Sequence, residues 1–479
     1  MTRHWMVAMA CVLSAGCTIG PKYVKPATAP PAAFREMAAN EQWKMATPLD
    51  DQSKGKWWEI FGDPQLNELE ALVDINNQNL KQAEAQFRQA RAVVKGDRAN
   101  YYPTIGVAPS VTKTSAGTTT GRGTVAQFIT YQLPVEASWE PDVWGRVRLS
   151  VDGAVGSAQA SAADLENVRL SEQALLATDY FSLAAEDMQQ ALLADTIAAY
   201  TQNLRLTTDR FNAGIASRSD VTLAQAQLSG AQAQSTEIRA TRATFEHAIA
   251  VLTGRAPSDV RIGDSRIAGP PPPIPTALPS ELLERRPDIA ASERLVAVAN
   301  SNVGLAEVAY YPTLQLSANP ALIASTLGSL FTWASRSWTG SAQLTETVAD
   351  FGRRGAALQG ARAAYDSAVA GYQQTVLTAF LEVEDNLADL RYLSEEAGQQ
   401  QEAVAASQQS LNLELDRYRA GTDSYLNVIT TQTILLGNQQ TAVTILQRRL
   451  QAAVNLVKAV GGGWAASMLP SSSSLRSGH

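Results

Sequence analysis

The 479-residue sequence predicts an α+β membrane protein made of two consecutive copies of one unit, each a pair of β-strands and a long helical hairpin. Three observations carry this reading. First, landmarks recur in order. Tyr101-Tyr102-Pro103-Thr104 returns as Tyr310-Tyr311-Pro312-Thr313 after 209 residues. Trp144-Gly145-Arg146 returns as Phe351-Gly352-Arg353, and Arg210-Phe211-Asn212-Ala213-Gly214 as Arg417-Tyr418-Arg419-Ala420-Gly421, both after 207. Second, proline is absent between Pro141 and Pro257 and between Pro320 and Pro470, gaps of 115 and 149 residues. Proline costs about 3 kcal/mol inside a helix, so these Ala/Gln/Leu-rich stretches read as long helices. Third, four short segments alternate apolar and polar residues with period two.

Composition removes several function classes. Hydrophobic residues make up 45% of the chain and charged residues 18%, less charge than the roughly 25% of a soluble globular protein. Such a chain is not charged enough for disorder. A net charge of −7 argues against nucleic acid, which needs a basic surface. The three histidines are His4, His247 and His479, too few and too scattered for a multi-His metal site or a Ser-His-Asp triad. No glycine-lysine phosphate loop is present. The carboxylates form no cluster with other catalytic groups. No catalytic residue, metal ligand or cofactor is therefore assigned, and the chain reads as a non-enzyme.

The elements follow in order. Residues 1–16 carry Arg3 and His4 ahead of an apolar run from Trp5 to Leu13. That run is short for a membrane span of about 20 residues and suits an export signal. It ends in Leu13-Ser14-Ala15-Gly16-Cys17, which resembles the lipobox of bacterial lipoproteins. That resemblance implies cleavage before Cys17, a covalent lipid on Cys17, and, with Thr18 next, sorting to the outer membrane. Cys11 would leave with the signal, so the mature chain would hold no disulfide. Residues 17–63 read as a lipidated, extended segment. Repeat 1 spans 64–256, a Pro-rich stiff linker 257–279, and repeat 2 280–462. The Ser-rich tail 463–479 reads as disordered.

Within repeat 1, strands are expected over 104–114 and 127–140. Ile129, Tyr131, Leu133, Val135, Ala137 and Trp139 alternate with Thr130, Gln132, Pro134, Glu136, Ser138 and Glu140. Repeat 2 offers 313–321 and 337–347. Each is near the 9–11 residues of a tilted transmembrane strand, with aromatic residues at the ends where an interfacial belt belongs. The hairpins are expected over 145–254 and 352–461, each broken once, at Gly214 and Gly421, because glycine suits the left-handed position past a helix end. Val369, Val376, Val383, Leu390, Ala397, Val404 and Leu411 keep a spacing of seven, as do Ile429, Leu436, Val443, Leu450 and Val457. Sustained heptads mark helices packed along a seam. At 1.5 Å per residue the longer arms reach roughly 100 Å. Four strands cannot close a barrel, since transmembrane barrels start at about eight. An open edge in lipid costs several kcal/mol per unpaired group, so a spanning sheet demands an oligomer.

The lipobox and the repeat of strands and hairpin stand beside further motifs: Trp57-Trp58-Glu59-Ile60-Phe61-Gly62-Asp63-Pro64, Leu282-Leu283-Glu284-Arg285-Arg286-Pro287-Asp288-Ile289, both Tyr-Tyr-Pro-Thr segments and Tyr418-Arg419-Ala420-Gly421. Together, over about residues 17–462, they resemble the TolC-like outer-membrane factor family, lipoprotein branch. The resemblance implies a homotrimer whose four strands per chain complete a 12-stranded outer-membrane barrel, continuous with a periplasmic α-helical barrel. It implies a passive exit duct for drugs and other small solutes, partnered by a periplasmic adaptor (membrane fusion) protein and an inner-membrane RND-type pump, and held by outer-membrane lipid. It matches Asp220 and Tyr418 to positions that link neighbouring helices at a periplasmic aperture, to which Asp416 and Arg419, which flank the same turn and could form charge rings there, and Asp423 and Asn427 are assigned with them. Adaptor-contacting tips would lie at Gly214, Ser217, Arg218, Gly421, Thr422 and Ser424. The sequence departs from the family's best-known channel. Asn427 and Thr430 stand where that channel has gating aspartates, and Asp423 stands where it has an arginine. The competing readings are a lipid-anchored periplasmic coiled-coil scaffold without a pore, and the same channel serving type I protein secretion or metal export. The scaffold leaves the four alternating segments unexplained, and no His/Met-rich run favours metal.

Overall fold

The computed structural model describes residues 19–28, 30–31, 33–36, 56–116, 126–265, 267, 269–274 and 284–477. The expected signal peptide and Cys17 lie outside the described residues. The first half runs α1 (Pro64–Asn76), α2 (Gln78–Ala99), β1 (Thr104–Val107), β2 (Ser110–Ala116), β3 (Ala126–Trp139), α3 (Arg146–Asn212) and α4 (Arg218–Leu252). The second half runs α5 (Pro287–Val308), β4 (Thr313–Ala324), β5 (Arg336–Thr345), α6 (Arg353–Ala420) and α7 (Tyr425–Ala459). A short α8 (Ser472–Ser477) follows. The halves correspond element for element from α2 and α5 onward. Among the described residues no helix is long and apolar enough to cross a membrane.

Helices α1, α2 and α5 were not among the sequence expectations, which assigned each repeat only strands and a hairpin. Their starts are written locally. Asp63 accepts from Gln65 N at 2.9 Å and Leu66 N at 3.2 Å, with Pro64 in the first turn. Pro287 likewise stands in the first turn of α5, whose N-cap residue Arg286 makes no side-chain cap bond. At these positions proline loses no helix hydrogen bond. Helix α5 then lies close on the start of α3, where a Cβ added at Gly156 would stand 2.9 Å from Val298 Cγ2.

The sheet is antiparallel. Both β1 and β2 pair with β3, which pairs with β4, which pairs with β5. The first expected strand is thus one path broken at Ala108-Pro109, because proline has no N–H to give to a ladder. The register sorts the side chains cleanly. Ile105 faces Ala137, Val107 faces Val135, Leu133 faces Leu322, Trp139 faces Leu316, Leu314 faces Leu344 and Pro320 faces Trp338. One face is therefore mostly apolar, with Lys113 and Arg336 as its charged residues. The other carries Gln132, Glu136, Ser138, Ser317, Asn319 and Gln343. The outer edges, β1/β2 and β5, are unpaired among the described residues.

The long arms, 67 and 68 residues, each return through a 35-residue partner. Every heptad position named above is buried or half-buried. Midway along the arms lies the main core, where Trp57, Trp58, Leu66, Leu176, Tyr180, Leu183, Ile249, Leu387 and Val454 meet. The described part of the Pro-rich linker is a strap more than a spacer. Ile262 and Ile274 are buried, Ile262 N donates to Glu246 at 2.6 Å, and Arg242 bridges Asp187 at 2.5 Å and Ile262 O at 2.9 Å. The Arg286 guanidinium, 8% exposed, ties Asp288 and Glu382 at 2.6 and 2.7 Å and the Ala459 carbonyl at 2.9 Å. It thereby joins α5, α6 and the end of α7.

The tail corrects an expectation. Residues 463–477 are ordered, not disordered. Trp464 is buried, Gln159 donates to Pro470 O at 3.0 Å, Leu475 joins a cluster with Val94, Val147 and Val151, and Arg476 pairs with Asp152. Serine-rich composition concealed two anchors, one apolar and one charged. The N-terminal segment is docked as well. Asn300 donates to Pro21 O at 3.0 Å, the Tyr23 hydroxyl meets the Glu293 carboxylate, and Phe34 is buried with its ring 6.5 Å from that of Phe380.

Candidate functional site

The residues singled out from sequence gather at the two hairpin tips. Each tip is built from the same bonds. In the first, Gly214 (φ 76°) donates to Phe211 O at 2.9 Å and Ile215 N to Arg210 O at 2.8 Å. In the second, Gly421 (φ 77°) donates to Tyr418 O and Thr422 N to Arg417 O, both at 3.0 Å. These bonds close the last turn of α3 and α6 with a left-handed glycine.

The next helix starts differently in each. At the first tip Ser217 and Asp220 form a reciprocal capping box: Asp220 N donates to Ser217 Oγ at 3.1 Å and Ser217 N to the Asp220 carboxylate at 2.9 Å. Two free donors of the helix start are satisfied at once. The Asp220 carboxylate is thus held by its own helix start. At the second tip the corresponding residues are Ser424 and Asn427. The Ser424 side chain makes no cap bond. Asp423 takes over, accepting from Ser424 N and from Asn427 Nδ2, both at 2.7 Å. The Ser424 amide holds the Asp423 carboxyl below the usual carboxylate range, with Glu414, Asn427 and Arg417 adding to it.

Tyr418 is buried and Asp416 is exposed. The Tyr418 hydroxyl lies 3.4 Å from Thr207 Oγ1. The Arg210 guanidinium stands 4.6 Å above its ring and donates to its carbonyl at 2.8 Å. A second ring, Tyr425, lies 5.2 Å from Tyr418, and burial pushes its hydroxyl up to about 12. With Ala224 and Val428 these two tyrosines make a small core joining the tips. Asp416 pairs only loosely with Arg419, at 3.4 Å, and both side chains are largely open to solvent. Gly214, Ser217, Arg218, Gly421, Thr422 and Ser424 are exposed. Thr207, Arg210, Glu414, Arg417 and Tyr425 were missed from sequence. Arg210 and Arg417 lie in the motif that repeats, and that recurrence was the available signal. Among the described residues no group of His, Cys, Asp and Glu could hold a metal ion.

The fold and this geometry meet their counterparts in known proteins. A family described as outer membrane efflux protein matches residues 71–255 and again 278–462. The chain belongs to this family. Among its relatives is the probable efflux pump outer membrane protein TtgC of Pseudomonas putida, 29% identical over 469 residues, covering 97% of this chain and 96% of that one. Another is outer membrane protein OprJ of Pseudomonas aeruginosa, 29% identical over 465 residues and covering 95% of each. The solved outer-membrane channel OprN superposes with a TM-score of 0.87 at 27% identity, covering 94% of this chain and all of that one. The Campylobacter jejuni CmeC outer membrane channel shares the fold, with a TM-score of 0.88 at 22% identity over 95% and 97% of the two chains. This outer membrane efflux protein is therefore a mostly helical chain of the TolC-like fold carrying one sheet.

Proposed function

We propose that the chain is the outer-membrane exit duct of a tripartite efflux pump. It conducts drugs and other small solutes passively from an inner-membrane transporter of RND type and a periplasmic adaptor to the outside. The observation that carries the reading is the sheet. It has one apolar face, one polar face and two edges unpaired among the described residues, and it is joined to arms about 100 Å long. Open edges are not tolerated in lipid. Three copies would pair β5 of one chain with β1/β2 of the next and close a 12-stranded barrel, with Glu136 and the polar residues lining a wet lumen.

Cys17 would carry the lipid. Gly20, three residues on, packs against Gly304 near the membrane end of α5, where an added Cβ would lie 3.0 Å from the Gly304 Cα. Three residues reach about 10 Å, enough to bring an acylated Cys17 to the membrane surface beside the Tyr310–Tyr311 belt.

The tips would form the periplasmic aperture. Asp416 and Arg419 supply exposed charges, Tyr418 and Arg210 lock the second tip to α3, and Asp220, Asp423 and Asn427 fix the helix starts. Gly214, Ser217, Arg218, Gly421, Thr422 and Ser424 would meet the adaptor. Single-channel conductance in planar bilayers tests the reading, comparing wild type with Asp416→Ala and Tyr418→Phe. Discrete, cation-preferring steps that grow in the variants are expected. A folded oligomer that shows no steps would promote the anchored scaffold instead.

A further inference from the structure

The apolar face of the sheet carries two charges, and both are cations. Following the register, Lys113 faces Ile129 and Arg336 faces Leu322, so both project on the side of Leu133, Val135, Ala137, Trp338 and Leu344. The one carboxylate of the strands, Glu136, lies on the other face. Each cation stands nine residues from the helix-side end of its strand path, Lys113 from Thr104 and Arg336 from Thr345. At about 3.3 Å per residue and a tilt of 35–45°, that is a height of about 21–24 Å, near the top of an apolar band about 25 Å tall. Neither makes an ion pair among the described residues.

Arg336 is presented rather than free. Its guanidinium lies 3.9 Å over the Trp333 ring. Trp333 sits in a loop closed on itself, with Thr326 and Ser329 hydroxyls 2.7 Å apart, Thr332 Oγ1 donating to Ser329 O at 2.8 Å, and Leu330 buried beneath. Trp333 and Trp338 are 79% and 83% exposed. A guanidinium braced on an aromatic ring keeps its fork aimed, and that fork matches phosphate.

We propose that the outer rim of this face binds the phosphates of a glycolipid in the outer leaflet, at a site shared between copies: Arg336 on Trp333 from one chain and Lys113 from the next. The inference rests on the oligomeric-barrel reading above, in which β5 meets the neighbour's β1/β2. That pairing sets the two cations side by side at equal height. Like charges facing each other across strands repel, and a phosphate between them turns the repulsion into a bridge. The exposed tryptophans would lie along the headgroup boundary, where indoles concentrate.

The test uses the purified full-length protein in detergent, titrated with lipid A bearing two phosphates and with the same lipid after enzymatic dephosphorylation. Wild type should bind the phosphorylated form at least tenfold more tightly. Lys113→Gln with Arg336→Gln should bring the ratio to within threefold, and Arg336→Lys should fall between. Equal affinity for the two lipids, or an unchanged ratio in the double variant, overturns the proposal. Cross-linking and bilayer conductance on the same preparations separate the two readings. A trimeric, conducting protein indifferent to phosphate loses only the lipid site. A protein that neither trimerises nor conducts loses both.

Discussion

The tip between α3 and α4 and the tip between α6 and α7 follow the same backbone path, with left-handed glycines at φ 76° and 77° and the same pair of turn bonds. What holds each one differs. The helix start at the first is fastened within its own turn, since its capping box lies wholly within Ser217–Asp220. The second depends on the first, because Tyr418 is clasped by Arg210 and approached by Thr207, both from α3. In place of a Ser–Asp box it has Asp423 bonded to Asn427. A duplicated unit has thus kept its turn and changed its fastening. The second tip is the one that a few side-chain contacts release.

At their roots the two hairpins are alike, and the largest effects belong there. Gly254 follows α4 at φ 69° with a would-be Cβ 2.4 Å from Asn76 O, and Gly461 follows α7 at φ 95° with one 1.9 Å from Arg285 O. Gly254→Ala and Gly461→Ala should each cost about 3 kcal/mol or more, since strain and overlap with backbone add. Loss of folded protein in melting scans checks this. If only one alanine variant fails, the roots are less equivalent than the geometry says.

The tips should then separate. Arg210→Ala removes a cation–π contact and a charge-assisted hydrogen bond, together about 2 kcal/mol, or roughly a thirtyfold shift toward local opening. Larger conductance and faster amide exchange around Tyr418 are expected, with melting little changed. Its counterpart Arg417→Ala should do far less. Among the described residues Arg417, 60% exposed, makes one ion pair, with Glu414 at 2.9 Å, a surface bridge worth about 0.5 kcal/mol. Equal effects from the two arginines would erase the distinction between the tips.

This contrast also marks how far the sequence could be read. The turns were legible because they are local: glycine after a repeated Arg-aromatic-x-Ala motif has one good use. The strands were legible because alternation persists over 10 to 14 residues. The clasp was not, since Arg210 and Tyr418 are 208 positions apart and only packing brings them together. Nor was the ordered tail, where Leu475 and Arg476 outweigh a run of serines. Asp220 and Tyr418 were selected together by family resemblance. Within the chain one caps a helix and the other joins two.

A smaller difference should appear at the caps. Ser217→Ala removes a bond that α4 uses and should cost about 1 kcal/mol. Ser424→Ala removes no side-chain cap bond and should cost only a few tenths. Amide exchange in the first turns of α4 and α7 reads the two locally. A Ser424→Ala effect as large as that of Ser217→Ala would mean that Ser424 caps in solution after all.

The smallest effect is one of pH, and it should be confined to the second tip. The Asp423 carboxyl is held below its ordinary value chiefly by the Ser424 amide. A depressed carboxylate stabilises the fold at pH values above its unfolded pKa of about 3.9, and that contribution fades as pH falls through the lower folded value. Between pH 7 and 5 the second tip should therefore be indifferent to pH. Below about 4 it should loosen, because protonated Asp423 can no longer accept fully from both Ser424 N and Asn427 Nδ2. Asp423→Asn should show the loosened behaviour already at pH 7 and lose the acid dependence. Amide exchange at Ser424 and Asn427, followed from pH 6 to 3, measures it. If the wild type and Asp423→Asn loosen in parallel with acid, another group carries the response and the Asp423 cap is not what fastens the second helix start.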